Sequence, residues 1–196
     1  MSNFTDFFPA AGGGGGIPKY QEFTASGTFT PSQELIDAGG RIGLIVVGAG
    51  GGGTNVTYTA FGGVGGEVTI KYDTLTSTNP ITVTIGAGGS TGANGTSGTN
   101  TTFAASSAGG TDIISVGGMG GQNGNQSGFP QITNTGAGFP GLYNSHSSGA
   151  GSGIMGYGVG GGSHQSSGSG ISSSFGCGGG KGQGGGNGFV RITWFE

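Results

Sequence analysis

Apolar and polar residues alternate through much of the first 116 positions, and the alternation predicts strands. The expected strands are Tyr20 to Ala25, Thr28 to Thr30, Arg41 to Val47, Glu67 to Tyr72, Ile81 to Ile85, Thr101 to Ala104 and Asp112 to Val116. In the third, apolar residues run almost without a break, as a central strand requires. In the fourth, Val68, Ile70 and Tyr72 share one face and Glu67, Thr69 and Lys71 the other; in the fifth, Ile81, Val83 and Ile85 oppose Thr82 and Thr84. The chain ends in Gly188-Phe189-Val190-Arg191-Ile192-Thr193-Trp194-Phe195, where Val190, Ile192 and Trp194 share a face. An isolated strand is unstable in water, so this segment is expected to return to the N-terminal sheet and clasp it.

The alternation stops at glycine. Ile42-Gly43-Leu44-Ile45-Val46-Val47 leads into Gly48-Ala49-Gly50-Gly51-Gly52-Gly53, which satisfies the dinucleotide-binding pattern G-x-G-x-x-G. That pattern binds a pyrophosphate only where it joins a strand to a helix N-terminus. Here Thr54 to Phe61 and then Gly62-Gly63-Val64-Gly65-Gly66 follow, a stretch too rich in β-branched residues and glycine for a crossover helix. Ile81 to Ile85 runs into Gly86-Ala87-Gly88-Gly89 in the same way. A motif that recurs without its context is architecture, and no cofactor is expected.

Glycine supplies 54 of the 196 residues. A collagen period is broken repeatedly, and only 6 prolines occur. A disordered linker is poor in apolar residues and rich in charge, whereas Val116, Met119, Phe129, Ile132, Phe139, Leu142, Ile154, Met155, Tyr157, Val159, Ile171 and Phe175 punctuate the glycine runs, with no charge between Asp112 and Lys181. Ordered glycine remains. Extended three-residue-per-turn helices carry no internal hydrogen bonds, so several packed side by side can satisfy one another's amides and carbonyls. The expected fold is all-β without significant α-helix: an N-terminal sheet or sandwich closed by the C-terminal strand, plus a bundle of packed polyglycine II helices. The expected organisation is a docking peptide at 1–11, a flexible glycine linker at 12–19, a strand-rich part at 20–116, a polyglycine II region at 117–187 and a closing strand at 188–196.

Charge and composition narrow the function. Charged residues make up 7% of the chain and the net charge is −3, which leaves no basic footprint for nucleic acid. One cysteine, Cys177, excludes an internal disulfide framework; it reads as a small residue in a glycine-rich turn. No apolar run reaches membrane-helix length, and the first residues lack the pattern of a signal peptide. His146 and His164 have no Cys, Asp or Glu near them in sequence, so no metal site is expected. Gly149-Ala150-Gly151-Ser152-Gly153 approaches a nucleophile elbow without a strand before it or a helix after it. The chain reads as a non-enzyme.

Phe4, Phe7 and Phe8 lie on one face of a helical turn ended by Pro9, ahead of the glycine tether, and read as a docking peptide. The inserts 122–135, 142–148 and 163–174 read as loops between glycine rods. Their exposed amides, hydroxyls and rings make Gln131, Asn134, Tyr143, Asn144, His146, His164 and Gln165 candidate receptor-binding residues. Phe129 and Tyr157 read as packing residues.

Phe23-Thr24-Ala25-Ser26-Gly27-Thr28-Phe29-Thr30-Pro31, Ile45-Val46-Val47-Gly48-Ala49-Gly50-Gly51, Val83-Thr84-Ile85-Gly86-Ala87-Gly88-Gly89, Asn100-Thr101-Thr102-Phe103 and the closing Gly188 to Trp194 follow one another in order. In that order, over about residues 20 to 196, the chain resembles the glycine-rich domain of bacteriophage tail-fibre proteins and adhesins. The resemblance implies β-strands combined with polyglycine II helices, and loops that contact a host receptor. It implies a virion protein at a tail fibre or tail tip, made in the host cytoplasm. Its expected partners are a tail or baseplate protein, through residues 1–11, and a host surface glycan or outer-membrane protein. Neither nucleic acid nor membrane insertion is expected, and homo-oligomerisation is left open. A tail component without receptor binding is the alternative. An ice-binding protein is a more remote one, because irregular inserts with Tyr143, His146 and Gln165 suit a flat ice face poorly.

Overall fold

The computed structural model describes residues 16–55, 62–121, 175–180 and 182–196. Eight strands run β1 (Pro18–Phe23), β2 (Gly27–Phe29), β3 (Arg41–Val47), β4 (Val68–Thr74), β5 (Ile81–Thr84), β6 (Thr101–Ala104), β7 (Ile113–Ser115) and β8 (Phe189–Phe195). They form two four-stranded antiparallel sheets, ordered β1-β8-β3-β4 and β2-β5-β6-β7. Among the described residues, helix is confined to a single turn, α1 (Gln33–Asp37), and a 3-10 turn at Ala105–Ala108. The architecture is mostly sheet.

One core lies between the sheets. It is built from Phe23, Ile42, Leu44, Val46, Val190 and Ile192 on one side and Phe29, Ile81, Val83, Phe103 and Ile113 on the other. Leu35 of α1 and Leu75 after β4 join it. Trp194 meets Phe29 edge-on, with ring centroids 5.4 Å apart, the arrangement that the ring quadrupole favours. β8 lies between β1 and β3, in register Gln21↔Ile192↔Leu44. Its inward Val190 and Ile192 are fully buried, as the period of two requires.

The same period explains β5, where Ile81 and Val83 are buried and Thr82 and Thr84 exposed. In β4 the apolar set points outward: Ile70 and Tyr72 are 52% and 85% exposed. The polar set points inward because β4 is an edge strand and its inner side meets polar partners. Ser115 Oγ donates to Thr69 Oγ1 at 2.8 Å, and the Thr111 amide donates to Asp73 Oδ2 at 2.7 Å. β1 takes in Pro18 and Lys19, two residues earlier than the alternation alone marks, because they pair with Phe195 and Trp194.

α1 starts where Ser32 Oγ accepts from the Leu35 amide at 3.1 Å, an N-cap. It ends at Gly39 and Gly40, whose φ values of 100° and 66° are left-handed. A side chain at Gly40 would also strike the Leu75 carbonyl.

Ile192→Ala removes a buried branched side chain from the strand that has neighbours on both edges. It is expected to cost about 2–5 kcal/mol, while Tyr20→Ala on the outer face stays within about 0.5 kcal/mol. Urea denaturation of the two variants measures the difference.

Candidate functional site

Six strand ends open onto one edge of the sandwich, and each continues into a glycine-rich segment. Segments 48–53, 86–90 and 117–121 leave β3, β5 and β7, while 62–67, 95–99 and 183–188 lead into β4, β6 and β8. Segment 176–180 runs outward beside them, with Gly176 near the sheets and Gly180 against Gly53.

Segment 48–53 is central. Its amides go to three neighbours in turn. Gly48 and Gly51 donate to Glu67 and Val64, Ala49 and Gly52 to Thr99 and Thr96, and Gly50 and Gly53 to Gly186 and Gln183, all at 2.8–3.2 Å. Its carbonyls serve three others. Ala49 and Gly52 accept from Gly118 and Gly121, Gly50 from Gly89, and Gly51 from Gly179, at 2.7–2.8 Å. Both patterns repeat every third residue. The six neighbours also bond to one another in a closed ring. Val64 donates to Met119, Gly98 to Gly118, Thr99 to Ala87, Gly185 to Gly89, Gly186 to Cys177, and Gly63 to Gly179. Around that ring the segments alternate between outgoing and returning. The central outgoing segment donates only to returning neighbours and accepts only from outgoing ones.

Glycine is required by the spacing. A Cβ on Gly50 would collide with the Cys177 carbonyl, and one on Gly51 with the Met119 carbonyl. Larger side chains sit where a segment faces out, as Met119 (45% exposed) and Val116 (38%) do, while the small side chain of Ala49 is accommodated in the central segment itself. Cys177 is buried within its segment, and its carbonyl accepts the Gly186 amide at 2.7 Å. The amides that a phosphate would need, those of Gly50 to Gly53, are all committed to carbonyls. This is the physical reason that G-x-G-x-x-G here is no nucleotide loop.

The lattice has two ends. At the outer, distal end the connections between segments are tied together. The Asn55 amide donates to the Gly92 carbonyl at 2.8 Å, Gly182 to Thr54 at 2.9 Å and Thr96 to Ser90 at 2.9 Å. Ser90 Oγ and Thr96 Oγ1 are 3.1 Å apart. Gly121 also lies here, bonded to both Gly52 and Gly95. At the opposite pole the described chain begins. Ile17 exchanges backbone bonds with Glu196, at 2.5 and 3.1 Å. The Glu196 carboxylate accepts from Ser32 Oγ and from Trp194 Nε1, and pairs with Lys19 Nζ at 3.6 Å. These partners, Ser32 first, then Trp194, then Lys19, hold its carboxyl below the ordinary carboxylate value against a smaller opposing effect of desolvation.

The residues singled out in the sequence fall elsewhere. Phe4, Phe7 and Phe8, and Gln131, Asn134, Tyr143, Asn144, His146, His164 and Gln165, lie outside the described residues, as do Phe129 and Tyr157. The described residues at the distal end, Asn55, Ser90, Thr91, Asn94, Thr96 and Gln183, are exposed and were not anticipated. The turn composition Ser90-Thr91-Gly92-Ala93-Asn94-Gly95 was their only signal. Among the described residues no cluster of His, Cys, Asp and Glu could hold a metal ion, and no helix is long and apolar enough to cross a membrane. No protein-family model matches the chain, and no curated protein matches it.

Gly51→Ala is expected to cost about 3 kcal/mol or more, because the central segment is enclosed on every side and cannot shift. Met119→Ala, on an outward position, stays within about 0.5 kcal/mol. The shift in urea midpoint distinguishes them. Glu196 adds a pH effect of known sign. A carboxyl held lower in the folded state contributes stability that is present above its ordinary value of 4.5 and is lost as the pH falls through the folded value. Melting temperatures recorded across that window should fall on acidification, and by less in Glu196→Gln.

Proposed function

We propose that this chain is a structural protein of a bacteriophage tail fibre or tail tip that acts as a host-attachment module. In this reading the lattice is a polyglycine II bundle of seven rods, and the C-terminal strand clasps the sandwich that carries it. The observation that carries the reading is the polarity of the molecule. The described chain enters at one pole, beside Glu196, while the described turns at 90–95 and next to Gly182 lie at the other. A strand of seven residues spans about 23 Å and a rod of six about 19 Å, so the poles stand roughly 40 Å apart. An attachment module needs that arrangement: a fixed end for the virion and a far end for the cell.

The period of three in the hydrogen bonds supports the polyglycine II assignment, since such a helix turns its donors and acceptors through three directions per turn. Bonding to six neighbours supports rigidity, which lets loops hold a binding geometry without loss of entropy on contact. The proposed tail contact is made by Phe4, Phe7 and Phe8 in residues 1–11. The proposed receptor contacts come from the inserts that contain Gln131, Asn134, Tyr143, Asn144, His146, His164 and Gln165. The role is non-catalytic, and the proposed location is the virion.

Two variants test the reading. Deleting residues 1–11 should abolish incorporation into particles, assayed by immunoblotting of purified virions. Exchanging residues 142–148 and 163–174 for Gly/Ser sequence should abolish binding of the purified protein to host cells while the melting temperature holds. Retained incorporation after the deletion overturns the docking assignment. Undiminished cell binding by the exchanged variant overturns the assignment of those loops. A parent protein that binds no host cell leaves the purely structural tail component as the function.

A further inference from the structure

Charge is divided between the two halves of the molecule. Every charged residue among the described ones lies on the sheets or their connections; Glu67, at the base of the lattice, is the outermost, and its carboxylate already accepts the Val116 amide at 2.9 Å. Beyond that level the described distal end is uncharged. It is not apolar either. Asn55, Ser90, Thr91, Asn94, Thr96 and Gln183 are exposed there, and the exposed apolar side chains near them are those of Ala93 and, two residues before Gly121, Met119. Their backbone is locked by the bonds Asn55 to Gly92, Thr96 to Ser90 and Gly182 to Thr54, and by the Ser90 amide on Thr96 Oγ1 at 2.7 Å.

We propose that this distal platform is a binding site for a neutral saccharide. Three classes of ligand can be weighed against the residues present. An anionic ligand gives up hydration that only opposite charge or several charge-assisted bonds can replace, and no described residue of the platform supplies charge. A protein partner is held mainly by aromatic or Arg anchors in desolvated pockets, and the described residues of the platform include neither. A neutral saccharide presents hydroxyls that each donate and accept. Amide and hydroxyl side chains do the same, so the two surfaces pair group for group. The fixed backbone limits the ordering cost that weak polar contacts would otherwise have to overcome. Lys181, between Gly180 and Gly182 in the sequence, lies outside the described residues and is treated as a variable of the test.

This inference rests on the display reading of the distal end, and the experiment separates the two. The probe is an array of neutral and acidic oligosaccharides, exposed to the 196-residue chain in about 0.1 M and about 1 M NaCl, between which the screening length falls from about 10 Å to about 3 Å. Binding to neutral saccharides is expected, unchanged within about twofold by salt because no charge pair is screened. Thr91→Ala, and separately Asn55→Ala, should weaken it by about tenfold or more, the equivalent of about 1.4 kcal/mol, without moving the melting temperature. Lys181→Gln should leave it intact. Binding confined to acidic saccharides, loss in high salt, loss in Lys181→Gln, or no neutral saccharide bound overturns the proposal. Saccharide binding with no binding to host cells overturns the attachment role and leaves this site standing; cell binding with an empty neutral array does the reverse.

Discussion

The structure depends on one constraint: main chains must approach closely enough for the amide of one segment to reach the carbonyl of the next with nothing between them. Ordinary folds meet the backbone's demand for partners inside a helix or along a sheet. Here segment 48–53 meets it through six separate neighbours, three by donation and three by acceptance. A Cβ at Gly50 or Gly51 would occupy the position of a neighbour's carbonyl oxygen. Each glycine costs about 0.5–1 kcal/mol of conformational entropy relative to alanine. What offsets that in the central segment is a hydrogen bond for every amide from Gly48 to Gly53, all of them buried.

Direction matters as much as composition. Neighbours around the ring alternate between outgoing and returning because consecutive strands of antiparallel sheets deliver their ends to the same edge in opposite senses. β3 sends a segment out and β4 receives one; β5 and β6 do the same. The sheets therefore set the lattice's spacing and polarity, and the lattice fixes the strand ends. Phe175, at the start of its outgoing segment, stacks on Phe189 at 4.6 Å, joining the glycine region to the first residue of β8. Such contacts join the two halves of the structure.

The strands were legible because side chains carry their signal. Ile81-Thr82-Val83-Thr84 alternates by burial as it does by polarity, and Phe189 to Phe195 pairs where its inward Val190 and Ile192 direct it. β4 was legible as a strand but not in its facing, because the polar partners of Thr69 and Asp73 come from residues some 40 positions away. The glycine lattice was legible only as a kind of order. The run after Val47 could be read as architecture, yet its central place could not, since main-chain bonds leave no mark on the side-chain pattern. Sequence reasoning placed the rods at 117–187, whereas 48–53, 62–67, 86–90 and 95–99 belong to the same lattice. The one trace is the spacing of outward residues: Val64-Gly65-Gly66-Glu67, Ala87-Gly88-Gly89-Ser90 and Val116-Gly117-Gly118-Met119 each repeat at three.

That spacing also bears on how such a chain could diversify. Gly50 to Gly53 leave no room for a side chain, and inward positions on the sheets serve a shared core, so both resist substitution. Some outward side chains still hold the lattice, since Thr99 Oγ1 accepts the Ala87 amide, Thr96 Oγ1 the Ser90 amide and Glu67 Oε2 the Val116 amide; exposed Met119 and Thr91 stand outside these bonds. Thr91 can change chemistry without moving the neighbouring segments, because the Thr96-to-Ser90 and Asn55-to-Gly92 bonds that hold its backbone are made by main-chain atoms. Where main-chain bonds carry the centre of the lattice, its stability is separated from the identity of exposed residues such as Thr91. On the proposed attachment role, chemistry at the tip can change while Gly50 to Gly53 stay glycine, and the hydrogen-bonding tip of this chain is one setting of that variable.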